Sequence, residues 1–221
     1  MKFTISQTKV SQFQSFSLSS PGFSNLHPLF STHFQLPQIH LTIMNGSLIH
    51  IKGKNGTGKS TLFQVLLDLL PVNSGKRQLL DINHLKLSSV SHYFSCSTLP
   101  ELGIGLNKES LLWTITTTSL RSLSWQLLQE NLHLFELYHL QNYPLKELSL
   151  GQKNRFQLLL LSLSTKPIWI LDEPTIGLDD KWTDFFYRLV SLHRQKGGIV
   201  LLATHQEMST IQTTSLNLNT L

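Results

Sequence analysis

A glycine-rich turn between an apolar strand and a helix constrains this chain more than any other sequence feature. Residues 48–51, Leu-Ile-His-Ile, predict a buried strand, and residues 60–70 predict an amphipathic helix that ends before Pro71. Between them, residues 53–60 read Gly-Lys-Asn-Gly-Thr-Gly-Lys-Ser. Glycines allow backbone N–H groups to converge on phosphate oxygens, and the start of the following helix adds positive potential. The pattern therefore predicts a phosphate-binding loop in an α/β fold.

The loop pattern also predicts roles for its side chains. Lys59 is expected to reach the β- and γ-phosphates of ATP, and the Ser60 hydroxyl is expected to bind Mg²⁺. Further nucleotide contacts are predicted from Gly53, Asn55, Gly56, Thr57, Gly58 and Thr61. A merely flexible glycine turn is the alternative, but the flanking strand and helix are the context that a phosphate loop requires.

Two acidic residues follow a second apolar strand. Residues 168–171, Ile-Trp-Ile-Leu, predict a buried strand that leads directly into Asp172 and Glu173. A carboxylate at the carboxyl end of such a strand can hold Mg²⁺, and a second one beside it can orient or deprotonate an attacking water. Asp172 is therefore a candidate metal ligand and Glu173 a candidate general base, although an acidic pair alone is often structural.

Three further motifs are weak when each is taken alone. Residues 148–152, Leu-Ser-Leu-Gly-Gln, open a predicted helix, with Ser149 as a candidate N-cap and Gly151 permitting close backbone approach. Residues 177–179, Gly-Leu-Asp, read as an ordinary turn. His205 follows a third predicted strand, residues 199–203, and could polarise a γ-phosphate, although a lone histidine is usually structural.

Short apolar strands that alternate with helices predict a mainly parallel sheet, as in a P-loop NTPase core of the RecA-like type. A mainly helical stretch of about residues 96–163 interrupts this alternation. We predict it to be a helical subdomain inserted into a core of residues 25–95 and 164–221. Residues 1–24 are expected to form an N-terminal arm or an edge strand at residues 2–5, and an N-terminal antiparallel β part is expected beside the core.

Composition bears on the class of protein and its surroundings. The formal net charge of +5 is modest and no Lys/Arg stripe stands out, so we predict no nucleic-acid partner. No apolar run reaches the length of a membrane span, so membrane contact is expected only through partners. The single cysteine, Cys96, indicates a reducing compartment. Ala203 is the sole alanine, which indicates a biased genome such as that of an organelle.

The motifs occur together in the order phosphate loop, LSxGQ, ILDEP, GLD and strand-Thr-His. On this basis the chain resembles the nucleotide-binding subunits of ABC transporters from about Leu36 to Glu207. The resemblance implies that residues 53–61 are Walker A, residues 148–152 the signature and residues 168–173 Walker B. It further implies three sets of site residues, which act in catalysis (Lys59, Glu173 and His205), bind Mg²⁺ (Ser60 and Asp172) and contact the nucleotide (Ser149, Gly151, Gln152 and the D-loop Asp179).

Partners also follow from this resemblance. ABC nucleotide-binding subunits pair head to tail, so that each ATP lies between Walker A of one chain and Ser149 to Gly151 of the other. One set of motifs is present, which implies a homodimer. Integral membrane transporter subunits are the other implied partners.

A narrower resemblance is to the haem-exporter ATPases of cytochrome c maturation, on the wording of residues 148–155, 167–174, 193–200 and 203–206. It implies ATP hydrolysis coupled to haem delivery or to release of a haem chaperone. The implied place is the matrix face of the mitochondrial inner membrane or the cytoplasmic face of a bacterial one. The alternatives are an ATP-gated structural subunit with little hydrolysis, the ATPase of another small ABC exporter, and a soluble ABC ATPase of repair or translation.

The chain departs from the ABC pattern in three places. Family members usually carry a glutamine that contacts Mg²⁺ at the junction of core and helical subdomain, whereas Cys96 or Ser97 stands there. Leu150 is bulkier than the usual signature residue. An aromatic residue for adenine stacking has no secure position, with candidates Phe30, His33 and Phe34. The first departure puts the hydrolysis rate and the coupling to membrane partners in question.

Overall fold

Among the described residues, strands predominate in the N-terminal part of the chain, and strands and helices alternate from residue 150 to residue 203. The computed structural model describes residues 15–19, 23–25, 34–36, 40–66, 76–80, 94–96, 124–164, 167–205 and 214–218. The described elements, in chain order, are β1 (Ser15–Ser19), β2 (Phe23–Asn25), β3 (Phe34–Leu36), β4 (His40–Met44), β5 (Leu48–Lys52), α1 (Lys59–Leu66), β6 (Lys76–Leu80), β7 (Phe94–Cys96), α2 (Trp125–Leu134), two 3₁₀ helices (Tyr138–Leu140 and Leu145–Glu147), α3 (Leu150–Leu163), β8 (Ile168–Asp172), α4 (Asp180–Gln195), β9 (Ile199–Ala203) and β10 (Thr214–Asn217).

The central sheet has five strands in the order β10-β5-β9-β8-β7. The pairs β10–β5, β5–β9 and β9–β8 are parallel. All five residues of β9 and the first four of β5 and of β8 are buried. Continuous burial of this kind is expected for parallel strands in a sheet that is covered on both faces.

Strand register brings three chain segments to one edge of this sheet. Ile51 of β5 pairs with Ala203 of β9, and Asp172 of β8 pairs with the same Ala203. The three strands therefore end at the same level, and the segments that follow them leave from one edge. Ligand sites of open α/β sheets lie at this carboxyl edge.

Antiparallel strands form two smaller sheets. In one of them β1 lies between β4 and β6, with Phe16 opposite Ile43 on one side and Leu79 on the other. In the other, β2 pairs with β3. The predicted edge strand at residues 2–5 lies outside the described residues.

The chain divides into two compact units. What we call the core unit holds the described residues up to residue 94, together with residues 167–173, 192–205 and 214–218. The helical unit holds residues 95–96, 124–164 and 174–191. The predicted domain boundaries at residues 25, 96 and 163 stay predictions.

Aromatic packing forms the interior of the helical unit. Phe135 is fully buried, and its ring stacks on Trp182 at a centroid distance of 5.5 Å and meets Phe185 edge-on at 5.3 Å. Leu132 and Leu137, which are close to Phe135 in sequence, are also fully buried. Such contacts contribute beyond the transfer of apolar area from water.

Most predicted elements of the described chain are confirmed, with small shifts at their ends. The strands predicted at residues 48–51 and 168–171 each extend by one residue, and the strand at residues 199–203 is unchanged. The helix predicted from residue 60 begins at Lys59 and is described to Leu66. Part of the predicted helical stretch, residues 97–123, lies outside the described residues. Among the described residues, no helix has the length and apolarity needed to cross a membrane.

Candidate functional site

The loop that follows β5 is shaped by its own backbone. Gly56 and Gly58 have φ angles of +82° and +94°, a region that side chains with a Cβ rarely adopt. At Gly53 a Cβ would lie 2.4 Å from Thr57 Oγ1, so glycine alone fits there. Thr57 itself donates from its hydroxyl to the Lys54 carbonyl at 2.9 Å. The turn is therefore built from hydrogen bonds inside residues 53–58.

Lys59 begins α1 and folds back over this loop. Its Nζ donates to the carbonyl oxygens of Gly53 at 2.7 Å and Lys54 at 3.2 Å. The loop thus surrounds its own ammonium group, which supplies positive charge beside the helix start. A concave backbone turn with such a charge suits an anionic phosphate group.

Ser60 and Asp172 meet although 112 residues separate them in sequence. The Ser60 hydroxyl donates to Asp172 Oδ2 at 2.6 Å, because α1 starts at the sheet edge where β8 ends. A hydroxyl and a carboxylate are hard oxygen donors of the kind that Mg²⁺ prefers. The residues present therefore fit a magnesium ion that arrives with its nucleotide.

Glu173 occupies an unusual backbone position directly after β8. Its φ angle is +47°, and its N–H donates to the Ala203 carbonyl at 2.8 Å. A left-handed backbone at a residue other than glycine costs free energy, and the ladder bond to β9 offsets part of this cost. The conformation places Glu173 Oε1 in a buried position where it has no hydrogen-bond partner among the described residues.

His205 stands at the end of the segment that follows β9. Its Nε2 lies 3.4 Å from Glu173 Oε1 and 3.1 Å from Asn55 Oδ1 of the loop. The loop, the acidic pair and His205 are thus assembled within the core unit. The general base candidate and a titratable imidazole lie side by side, as reactions that move a proton require.

The start of α3 in the helical unit is built by a reciprocal cap. Gln152 N–H donates to Ser149 Oγ at 3.3 Å, and Ser149 N–H donates to Gln152 Oε1 at 2.8 Å. The prediction that Ser149 is an N-cap is confirmed. This capping box uses two of the helix-start donors, and the remaining ones keep the positive end of the helix dipole open to an anion.

A tight turn packs against this helix start. A Cβ at Gly151 would lie 3.3 Å from the Gly177 carbonyl, and a Cβ at Gly177 would lie 2.9 Å from Leu150 Cδ2. Asn154 Nδ2 donates to the Ile176 carbonyl. Asp179 ends the turn and accepts from the Trp182 N–H at 2.9 Å, so it caps α4. Leu150 and Ile176 nevertheless remain 57% and 53% exposed.

Comparison with known proteins bears on this arrangement. The family model described as ABC transporter matches residues 36–176, which is more than half of the chain. The chain belongs to the ABC transporter ATP-binding family. The match spans residues 53–61, 148–152 and 168–173, for which the resemblance implied site roles.

Individual ABC relatives agree with this membership. The cytochrome c biogenesis ATP-binding export protein CcmA of Reclinomonas americana is 34% identical over 200 residues, 89% of each chain. The protein of the same name from Legionella pneumophila is 34% identical over 189 residues, 81% of this chain and 90% of its own. A solved ABC transporter ATP-binding protein of Pyrococcus furiosus has a TM-score of 0.69 at 23% identity, covering 94% of this chain and 98% of that one. The predicted P-loop NTPase fold and the ABC resemblance are thereby confirmed.

The structure brings together only part of the predicted ABC site. Walker A residues 53–61 lie with Asp172, Glu173 and His205 in the core unit, whereas Ser149, Gly151, Gln152 and Asp179 lie in the helical unit. Their roles toward ATP and Mg²⁺ stay predictions. Of the adenine candidates, residues 30 and 33 lie outside the described residues, and Phe34 lies in β3. Of the two residues at the glutamine position, Cys96 ends β7 and residue 97 lies outside the described part.

Two polar contacts escaped sequence reasoning. His50, inside buried β5, has Nε2 2.9 Å from the Thr204 carbonyl and so joins β5 to the segment that carries His205. Asn154, buried on α3, holds the turn after Walker B through the Ile176 carbonyl. In both cases the signal was a polar residue in an otherwise apolar buried pattern, which predicts a hydrogen bond but not its partner.

Proposed function

We propose that this chain is the ATP-hydrolysing subunit of an ABC transporter. One observation carries the proposal: Ser60 meets Asp172 at 2.6 Å, and Glu173 meets His205 at 3.4 Å, both beside the Walker A loop. These contacts join residues from three separate chain segments at one sheet edge. A loop that only turns the chain has no need of this convergence.

Catalysis in this site rests on position and charge. Lys59 and the loop N–H groups bind the phosphates, while Ser60 and Asp172 supply oxygen ligands to Mg²⁺. When bound, the metal ion neutralises negative charge on the transferred phosphoryl group. Glu173 accepts a proton from the attacking water. His205 donates from its ring to an oxygen of the γ-phosphate.

A second copy of the chain completes each site in this proposal. The capped start of α3, with Ser149 and Gly151, offers helix N–H groups to the phosphates held by the partner. Asp179 lies in the adjacent turn, where it caps α4 and stands close in sequence to exposed Ile176. Closing and opening of the homodimer then follow ATP binding and hydrolysis.

The relatives indicate which transport system the subunit serves. Proteins 34% identical over most of the chain are named cytochrome c biogenesis ATP-binding export proteins. We infer the same system, in which hydrolysis drives haem delivery or release of a haem chaperone through integral membrane subunits. The subunit is then a peripheral protein on the matrix face of the mitochondrial inner membrane or on the cytoplasmic face of a bacterial inner membrane.

Replacement of the proposed general base, Glu173, tests the ATPase activity. Glu173→Gln in the full chain, assembled with its membrane partners, should bind Mg-ATP and remain as an ATP-bound dimer, with hydrolysis at least about 100-fold slower because no carboxylate accepts the proton. Exposed Glu147→Gln is the matched control and should hydrolyse at the wild-type rate.

Two results would contradict the proposal. Equal hydrolysis by Glu173→Gln and the wild-type protein would remove Glu173 from the role of base. A wild-type complex that binds Mg-ATP and does not turn it over in a single-turnover assay would favour the ATP-gated structural subunit. Copurification with membrane subunits tests the transport assignment separately.

A further inference from the structure

The side chain of His205 lies largely in solvent, and this raises the question of what holds it in place. It is 58% exposed, whereas the Glu173 side chain beside it is 22% exposed. An exposed imidazole samples several rotamers on a nanosecond timescale unless polar contacts restrain it. Hydrogen bonding must therefore supply the orientation that packing does not.

Two acceptors face the same ring nitrogen. Asn55 Oδ1 lies 3.1 Å from His205 Nε2, within hydrogen-bond distance, and Glu173 Oε1 lies 3.4 Å from it. An ionised carboxylate only accepts, and the amide oxygen of Asn55 also accepts. Both contacts are favourable when Nε2 carries the proton, and the pair therefore selects the Nε2–H tautomer.

The amide of Asn55 is the closer of the two acceptors and the better placed. It belongs to the loop of residues 53–58, whose shape is fixed by the Thr57 and Lys59 bonds to loop carbonyls. Glu173 Oε1 is buried and has no hydrogen-bond partner in the described chain, so its contribution to His205 is a weaker charge contact. The loop thus offers a rigid anchor for an otherwise free side chain.

We propose that Asn55 is a positioning residue that acts through His205. By accepting from Nε2, it holds His205 in one tautomer and directed toward the loop before any nucleotide is present. The γ-phosphate then shares an Nε2–H that already faces the loop through its bond to Asn55, and less ordering is needed as the transition state forms. The catalytic part of this inference rests on the proposed ATP hydrolysis, whereas the tautomer of the free chain does not.

The tautomer is tested on the full chain without nucleotide. Nitrogen-15 NMR of labelled histidines, near about pH 8 where imidazoles are neutral, distinguishes the two tautomers. The chain has 10 histidines, and the signal that disappears in His205→Gln identifies the ring of interest. The wild-type protein should show the Nε2–H form of His205. Asn55→Leu, which has a similar shape and no acceptor, should populate the Nδ1–H form as well.

Two matched variants separate this role from general damage to the loop. Asn55→Asp keeps an oxygen acceptor at the same place and should retain the wild-type signal. Asn142→Leu makes the same change at an exposed asparagine of the helical unit and should leave the signal unchanged. A wild-type Nδ1–H tautomer, or an unchanged pattern in Asn55→Leu, overturns the inference whether or not the protein hydrolyses ATP.

A double-mutant cycle tests the catalytic consequence in the assembled complex. Asn55→Leu should lower kcat by about tenfold, because it removes the orientation of His205, whereas loss of the nucleotide contact predicted for Asn55 would change KM for Mg-ATP. In the His205→Gln background the same substitution should lower kcat by less than about twofold. Equal effects in the two backgrounds overturn the role through His205, whereas absence of hydrolysis in the wild-type complex contradicts the proposed function instead.

Discussion

The core unit and the helical unit build their halves of the candidate site in different ways. In the core unit the deciding contacts join residues that are far apart in sequence: Ser60 and Asp172 are 112 residues apart, and Asn55 and His205 are 150 apart. In the helical unit the cap joins Ser149 to Gln152, three residues away, and Asn154 reaches only 22 residues to Ile176. The first half depends on a folded sheet, and the second depends mainly on local structure.

This difference determines how each half responds to substitution. A change at the sheet edge disturbs chemistry, because each side chain there is one of few groups that converge on the same point. A change in the helical unit should alter helix stability first, and in the proposed dimer it should alter chemistry only through the partner copy. Four measurements can break or sharpen this contrast.

The largest expected effect is at the sheet edge. Asp172→Asn removes the charge that accepts from Ser60 and that we propose to hold Mg²⁺, so ATP hydrolysis by the assembled complex should fall about 100- to 1,000-fold. The control is Asp184→Asn on the exposed face of α4, which should leave hydrolysis unchanged. Hydrolysis within threefold of wild type in Asp172→Asn would mean that the sheet edge is not the reacting centre.

The second largest effect is expected in the core unit, where the free energy of unfolding should depend on pH. Burial lowers the pKa of His193, whose ordinary value is 6.5, to about 4, and its ring stacks on Trp169 at 3.7 Å. Between pH 6.5 and 4 the unfolded chain gains a proton that the folded chain does not. The free energy of unfolding should therefore fall with falling pH by up to about 3 kcal/mol from this group.

The variant His193→Gln tests this assignment. Denaturant unfolding across the same pH range should show a shallower loss of stability in His193→Gln than in the wild-type protein, whatever its starting stability. Exposed His139→Gln in the helical unit should keep the wild-type slope. If the free energy of unfolding changed with pH by the same slope in all three proteins, His193 would not be the source of the pH dependence.

Two serines offer a smaller and closely matched comparison. Ser149 caps α3 and Ser124 caps α2, each through its hydroxyl. Either serine-to-alanine substitution should lower the free energy of unfolding by about 1 kcal/mol, because one helix donor loses its partner. Hydrolysis by the assembled complex should fall further in Ser149→Ala than in Ser124→Ala. An equal and small loss of hydrolysis in both variants would mean that Ser149 acts only as a helix cap.

The smallest effect is expected at an exposed ion network. The pKa of Glu136 is lowered, chiefly by the hydrogen bond from Lys181 Nζ at 2.6 Å, and Arg155 adds to it. This contribution is present above the ordinary glutamate pKa and is lost as the pH falls through the folded value. Since Glu136 is 50% exposed, solvent screens most of it.

Glu136→Gln should therefore change the unfolding midpoint slightly at neutral pH and not at all below the pH at which Glu136 is protonated. Exposed Glu147→Gln supplies the baseline in the same unit. A large loss of stability in Glu136→Gln at neutral pH would show that the network matters more than its exposure predicts.

Sequence reasoning predicted the strands and the Ser149 N-cap because the signals for both are local in sequence; the reciprocal bond from Gln152 was not predicted. The apolar runs at residues 48–51, 168–171 and 199–203 are unambiguous, and a serine three residues before a glutamine is a helix-start signature. The phosphate loop was predicted for the same reason, since glycine spacing and a flanking strand and helix are contiguous in the chain.

Pairings across the sheet could not be predicted in the same way. Nothing near Asn55 in sequence indicates that His205 is its neighbour, because strand order and register decide that contact. The left-handed backbone of Glu173 was equally hidden, since glutamate has no preference for it and tertiary contacts impose it. Long-range geometry of this kind follows from the fold and not from local propensity.

The bonds that surround the core site are largely made by main-chain oxygens. Lys59 donates to the carbonyls of Gly53 and Lys54, Glu173 donates to that of Ala203, and His50 reaches that of Thr204. A carbonyl is the same whatever side chain its residue carries. Exchange of one apolar residue for another in the buried strands therefore leaves these hydrogen-bond acceptors in place, as long as the strands keep their packing.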